Sequence, residues 1–192
     1  MLEVLKQYIV SKVSLSEEEV TKILACFKQK KLRKKQYLLQ EGDVCHFIAF
    51  IAKGCLRLYR VDDKGNDHIV QFGFENYWMS ERESAFSQKP TQYCIDAIED
   101  SEILVCQTSD FMRIQKEIPA FEKMMIDLQS KNFGIIQKRI NSALSYTAEE
   151  KYHELLHFQP EIIQRIPSTM IAAYLGISRE TLSRIRNQVN KK

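Results

Sequence analysis

Ile166-Pro167-Ser168-Thr169-Met170-Ile171-Ala172-Ala173-Tyr174-Leu175-Gly176-Ile177-Ser178-Arg179-Glu180-Thr181-Leu182-Ser183-Arg184-Ile185-Arg186-Asn187 reads as two short helices joined by a tight turn. Pro167 and Ser168 suit a helix start, because proline is preset for the first helical position. Ile171, Ala172 and Leu175 then form one inner face, and the small Ala172 lets a second helix approach. Gly176 falls where the chain must turn left-handed, which costs glycine nothing. Ile177 is expected to anchor the turn in the core. Ser178 is a natural cap for the second helix, whose buried stripe would be Leu182, Ile185 and Val189. Arg179, Glu180, Ser183, Arg184 and Arg186 are left pointing outward. Two arginines and a glutamate on the first turns of an exposed helix can read a major groove. Arginine donates in bidentate fashion to guanine, and glutamate accepts from the cytosine amino group. The plainer alternative is a helical hairpin with a charged outer face.

Charge supports an anionic partner at this end. From Ser178 onward lie Arg179, Arg184, Arg186, Lys191 and Lys192 against Glu180, a net of +4. The whole chain carries +3, so everything before Ser178 sums to −1. The positive excess is therefore C-terminal, where polyanions would be drawn.

Upstream, Thr147-Ala148-Glu149-Glu150 is a capping box that opens a helix to about Phe158, with Pro160 and Pro167 bounding a linker. Before it, residues 120–146 hold apolar positions at helical spacing: Phe121, Met124, Met125, Leu128, Ile135, Ile136, Ile140 and Leu144. A helix this long exceeds one small core, so a two-helix dimer seam is expected, with Met125, Leu128, Asn132 and Ile135 on it. The alternative is one long helix laid on its own β domain. Ser109 or Asp110 is expected to cap a shorter helix that Pro119 interrupts.

Residues 37–108 have a different texture. Tyr37-Leu39, Phe47-Ala52, Cys55-Val61, His68-Phe74, Tyr93-Ile98 and Ile103-Gln107 are short β-favouring runs. They are separated by turn signals such as Glu41-Gly42-Asp43, Lys53-Gly54 and Asp62-Asp63-Lys64-Gly65-Asn66, the pattern of a sandwich or barrel. The basic run Lys28–Lys35 reads as a solvated loop and edge strand. At the N-terminus, Leu2, Leu5, Ile9 and Val13 keep helical spacing, and Ser16-Glu17-Glu18-Glu19 caps a second helix.

Composition excludes several classes. No apolar run approaches the roughly 20 residues of a membrane span, and Glu3 and Lys6 interrupt any signal-peptide core. A cytoplasmic chain without membrane contact is expected. The five cysteines (Cys26, Cys45, Cys55, Cys94, Cys106) form no CxxC pair, so neither a disulfide framework nor a zinc knuckle is indicated. His153-Glu154-Leu155-Leu156-His157 matches the H-E-x-x-H metalloprotease signature, the one enzyme hypothesis in the chain. It lacks a third ligand, since no histidine follows His157 and Pro160 stands where the longer pattern wants glycine. No catalytic or metal site is assigned.

Ser178-Arg179-Glu180-Thr181-x-x-Arg184 resembles the recognition helix of the cAMP receptor protein/FNR (Crp/Fnr) family. Glu41-Gly42-Asp43 followed by Phe50-Ile51-Ala52-Lys53-Gly54 resembles the start of that family's cyclic-nucleotide-binding β-roll, and the long helix resembles its dimerisation helix. The resemblance implies an α+β fold: a double-stranded β-helix (jelly roll) sensor over residues 1–118, a dimerisation helix over 119–146 and a helix-turn-helix over 147–192. It implies a dimeric, sequence-specific transcription regulator on a near-palindromic duplex, with RNA polymerase a further candidate partner. Arg179, Glu180 and Arg184 would read bases. Ser168 and Thr169 would touch phosphates, and Ser178, Ser183 and Arg186 are added as outward candidates for that role.

Two family features look altered. The cyclic-nucleotide phosphate cassette, Gly-Glu followed by Arg-Ser or Arg-Thr, reads here as Asn76-Tyr77 and Thr91-Gln92. A buried phosphate without its guanidinium would cost on the order of several kcal/mol, so cyclic AMP is not expected. The candidate pocket is lined instead by Phe72, Trp78, Arg82, Thr91, Gln92 and Tyr93, with its effector unknown. No cysteine cluster offers an iron–sulfur site, and nothing singles out His46 or His68 for haem, so no cofactor is assigned. The second feature is the β-hairpin wing after the recognition helix, expected to be missing here, with Lys191 and Lys192 standing in for its phosphate contacts. The alternative class is a cyclic-nucleotide or small-ligand signalling module without DNA readout.

Overall fold

The computed structural model describes residues 1–189, Val189 by its backbone alone. Two helices open the chain, α1 (Leu2–Val10) and α2 (Glu17–Ala25). Five strands follow: β1 (Lys28–Leu32), β2 (Tyr37–Leu39), β3 (Phe47–Lys53), β4 (Leu56–Val61) and β5 (Asp67–Gly73). Then come β6 (Trp78–Met79), α3 (Arg82–Ser87), β7 (Cys94–Ala97) and β8 (Ser101–Gln107). The remainder is helical: α4 (Thr108–Glu117), α5 (Pro119–Ser145), α6 (Ala148–Phe158), α7 (Pro160–Arg165), α8 (Ser168–Leu175) and α9 (Arg179–Val189). The chain forms two compact units, Met1–Arg60 with Phe72–Gln129, and Val61–Gln71 with Ser130–Lys192.

The strands make a jelly roll of two four-stranded sheets, ordered β1-β8-β3-β6 and β2-β7-β4-β5. The apolar run of β3 is continuous because both of its faces are buried. Ala49 and Ile51 join Leu32, Leu56, Leu58, Ile95 and Ile103 between the sheets. Ile48, Phe50 and Ala52 face the other way, onto Leu5, Ile9, Ile23, Phe111 and Phe121 of the helices. Gly54, at the end of the strand, has φ +100°, and a Cβ there would lie 2.7 Å from the Ser101 Cα. Only glycine fits that approach.

The basic run forms β1, which pairs with β8 at the sheet edge, its first four residues exposed. On the side of the second sheet away from the apolar core, Arg57 and Asp96 sit opposite one another in the β4–β7 register. The Arg57 Nε and Nη2 donate to Asp96 at 2.8 and 3.0 Å, and both residues are buried. Tyr59 stacks under the guanidinium at 3.8 Å and donates to Asp96 at 3.3 Å, so the pair has the extra bonds a buried ion pair needs.

Both predicted capping boxes form, Ser16 with Glu19 and Thr147 with Glu150. Two local expectations are corrected, and two elements were not expected. α4 begins at Thr108 with Gln107 before it and no side-chain cap, so neither Ser109 nor Asp110 caps it. The stretch after Pro160 is not a linker: proline at the first helical position starts α7. β6 and α3 had no sequence signal strong enough to be expected; α3 is opened by Glu81, whose carboxylate accepts the N–H groups of Glu83 and Ser84 at 3.0 and 2.9 Å.

The long helix is continuous as expected, but its exposed apolar face differs in part from the predicted one. Met125 is buried in its own unit's core, and Leu128 packs against that core. Asn132 is half-buried. The exposed large apolar residues are Ile126, Phe133, Ile135, Ile136, Ile140 and Leu144, so of the predicted seam residues Ile135 does stand exposed. In the first part of the helix the predicted seam turns inward at Met125 and Leu128 and the exposed position is one residue on, at Ile126, about 100° around the helix, whereas farther along Ile135 and Ile136 are both exposed. Periodicity could not say which of these adjacent stripes meets the chain's own core.

Candidate nucleic-acid interface

The second unit closes on Tyr152, Leu155, Ile162, Ile166, Ile171, Ala172, Leu182 and Ile185, all buried. Pro167 precedes α8 and Gly176 ends it at φ 66°, its N–H reaching the carbonyls of Ala172 and Ala173. The Ile177 N–H bonds Ala172 O at 3.0 Å. Ile177 is only half-buried, as is Leu175, so the turn is held by backbone bonds more than by an apolar anchor. Ser178 caps α9: its Oγ accepts the Thr181 N–H at 3.1 Å. Leu182 and Ile185 point inward as expected, while the Val189 side chain, Lys191 and Lys192 lie outside the described residues.

Arg179, Glu180, Ser183 and Arg184 are exposed on α9. Together with Ser168 and Arg186 they line one concave surface of about 1020 Å³, which brings predicted base readers and phosphate contacts to a single groove. Three arginines against one glutamate give this lining a net positive charge. The backbone N–H of Glu180 itself, open in the first helical turn, holds its carboxyl below the usual carboxylate range. Glu180 is thus an ionised acceptor, the state needed to take a cytosine amino hydrogen. Arg186 donates to Ser168 Oγ at 2.6 Å, tying the start of α8 to α9. Thr169 is exposed but does not line the groove. Ser178 does not line it either, because its hydroxyl is committed to the cap and to Thr181 Oγ1 at 3.0 Å.

The predicted ligand pocket of the roll does not assemble as one wall. Trp78 lies among aromatic rings on the helix side of the sheet, with centroids 5.1 Å from Phe50 and 5.7 Å from Phe111. Tyr93 packs on the opposite face, against the core between the sheets. Phe72 and Thr91 are buried, Gln92 is exposed, and Arg82 is exposed beside the Phe86 ring. Thr91 is a loop staple: its N–H donates to Asp43 O, its carbonyl accepts from Gly42, and its Oγ1 accepts the Tyr93 N–H. Sequence reasoning missed Glu81, a buried acid in this same stretch, because an acid four residues past Tyr77 carried no recognisable spacing.

The HExxH residues do not converge. His153 and His157 are both exposed on α6, His153 3.8 Å from Glu149 and His157 against the Phe158 ring.

Residues 29–117 match the family model of the cyclic nucleotide-binding domain. The chain is 25% identical to the regulatory protein HlyX of Actinobacillus pleuropneumoniae, over 93% of this chain and 78% of that protein. A jelly roll followed by a long helix and a helix-turn-helix completes the picture. In these features the chain is similar to regulators of the Crp/Fnr type. The chain is also 26% identical to a protein of Rhizobium leguminosarum bv. viciae named a probable transcriptional activator, over 80% of its own length and 67% of the relative's. In fold it matches a transcriptional regulator described as Crp/Fnr family from Eubacterium rectale, with TM-score 0.69, 17% identity, and coverage of 92% of this chain and 84% of that one. None of the described helices is long and apolar enough to cross a membrane.

Proposed function

We propose that the chain is a Crp/Fnr-type regulator that acts as a homodimer on a near-palindromic duplex and reads bases with Arg179, Glu180 and Arg184. The observation that carries the reading is the groove on α9, where these three side chains stand exposed directly after the Gly176 turn. Ser168, Ser183 and Arg186 at the same groove hold phosphate, with Thr169 beside them. The exposed stripe of α5 joins two copies, so that the recognition helices enter successive major grooves about 34 Å apart. The protein works by binding rather than catalysis, in the cytoplasm, and RNA polymerase is a further partner.

The roll does not answer to cyclic AMP. Thr91 supplies no cation where a cyclic phosphate would need one, and both oxygens of Glu81 already fill the start of α3.

The test is site selection from random duplexes, followed by Arg179→Ala on the selected site. The expected loss is about 1–3 kcal/mol, confined to one base position per half-site. Arg186→Ala should weaken all sequences alike and flatten the salt dependence. If both substitutions lowered specific and random binding equally, the base-reading role of Arg179 would be wrong. A flat salt response of the wild type would instead favour a signalling module that does not bind DNA.

A further inference from the structure

A cavity of about 620 Å³ opens in the second unit, and every residue lining it belongs to that unit. Its size falls in the roughly 300–1,000 Å³ range of small-molecule sites. Ile69, Ile135, Leu155, Phe158 and Tyr174 give it apolar walls. Three cations reach the same space, Lys138, Arg139 and Lys151, against the single acid Glu154.

The partners of these cations are neutral. Arg139 donates to the carbonyls of Ile69 at 2.7 Å, Tyr174 at 3.1 Å and Val70, and its guanidinium lies 4.0 Å from the centre of the Tyr174 ring. Lys138 sits over the Phe158 ring at 5.7 Å. Lys151 donates to Ala143 O at 3.3 Å. Among the described residues none of the three has a carboxylate partner. Carbonyls and rings orient a cation without cancelling its charge, so a positive potential persists in a partly dehydrated space. The same dehydration pulls the Arg139 guanidinium below its ordinary pKa and pushes the Tyr174 hydroxyl up. His68, the remaining titratable wall residue, is turned to Asp62 at 2.9 Å.

We propose that this cavity binds an organic anion with an apolar body, its carboxylate met by Lys138, Arg139 and Lys151 and its chain laid against Ile69, Ile135, Leu155 and Phe158. A neutral apolar ligand would leave the charges unanswered, and an apolar cation would add to them. The site does not depend on DNA recognition, although Tyr174 and Gly176 place its wall at the turn that introduces α9.

The experiment is calorimetric titration of the full chain, without DNA, using decanoate and decyltrimethylammonium as probes of equal chain length. Decanoate should bind once per chain and about tenfold tighter than the cation. The double variant K138Q/K151Q, at an exposed and a half-buried lysine, should keep its melting temperature and weaken decanoate about tenfold. Glu154→Gln should move the other way and tighten it, a gain that misfolding cannot produce. Absence of saturable decanoate binding, equal binding of the two probes, or an unchanged double variant would each overturn the proposal. A gel shift on random duplex, run separately, reports on DNA binding and leaves this result untouched.

Discussion

Phe133→Ala tests the dimer most directly. Phe133 is 60% exposed on α5, on the stripe with Ile126, Ile136 and Ile140 and away from its own core. Burying a whole phenylalanine side chain is worth up to about 3 kcal/mol, so covering the exposed part contributes roughly 1.5 kcal/mol per copy. A two-fold seam counts that twice, about 3 kcal/mol, which is about a hundredfold in the dimer dissociation constant. Sedimentation velocity over a dilution series reads this directly. Met125→Ala is the control, because Met125 lies 5% exposed inside its own unit. It should lower the melting temperature, at about 2–5 kcal/mol, and leave dimerisation unchanged. If Phe133→Ala dimerised as tightly as the wild type while Met125→Ala did not, the seam would lie on the stripe that the sequence first suggested. A wild type that stayed monomeric at tens of micromolar would sink the dimer itself.

Two further outcomes follow from hydrogen bonds. Ser178→Ala removes the α9 cap and should destabilise the second unit by about 1 kcal/mol in thermal melts; Ser178→Asp should keep that stability, and equal loss in both would show that the hydroxyl does not act as a cap. Asp62 is held well below the usual carboxylate range, first by His68 and then by Asn66. A depressed folded-state pKa means that its contribution is present above the ordinary value of 3.8 and is lost only as the pH falls through the lowered one. Carboxyl-carbon NMR should therefore find Asp62 still ionised at about pH 3, and its titration alongside ordinary aspartates would contradict the hairpin contacts.

The sequence was most readable where one residue type has one physical use. Gly176 marked the left-handed turn, and Ser16 and Thr147 marked helix starts through their partners three residues on. The strands were bounded by Gly and Asp turns, and β3 was apolar from Phe47 to Ala52 because helices cover its second face. Legibility failed where the meaning is set by a distant neighbour. Trp78 and Tyr93 lie in one stretch of sequence but pack on different cores, Trp78 on the helix side and Tyr93 between the sheets, so together they cannot form one pocket wall. Met125 and Ile126 are neighbours, and only tertiary packing decides which is core. Arg139 carried no signal at all, since its partners are backbone carbonyls supplied by Ile69, Val70 and Tyr174.

The second unit is discontinuous: residues 61–71 belong with 130–192, although 60 and 72 belong elsewhere. Its modularity is therefore lower than the linear order of domains suggests. A fragment starting at residue 130 would omit the carbonyls of Ile69 and Val70 that Arg139 uses, and a chimaera joined there would set a foreign loop against the same arginine. Exchange of sensor domains between such chains, in the laboratory or in evolution, is constrained by a hairpin that travels with the sensor in sequence and with the DNA reader in space.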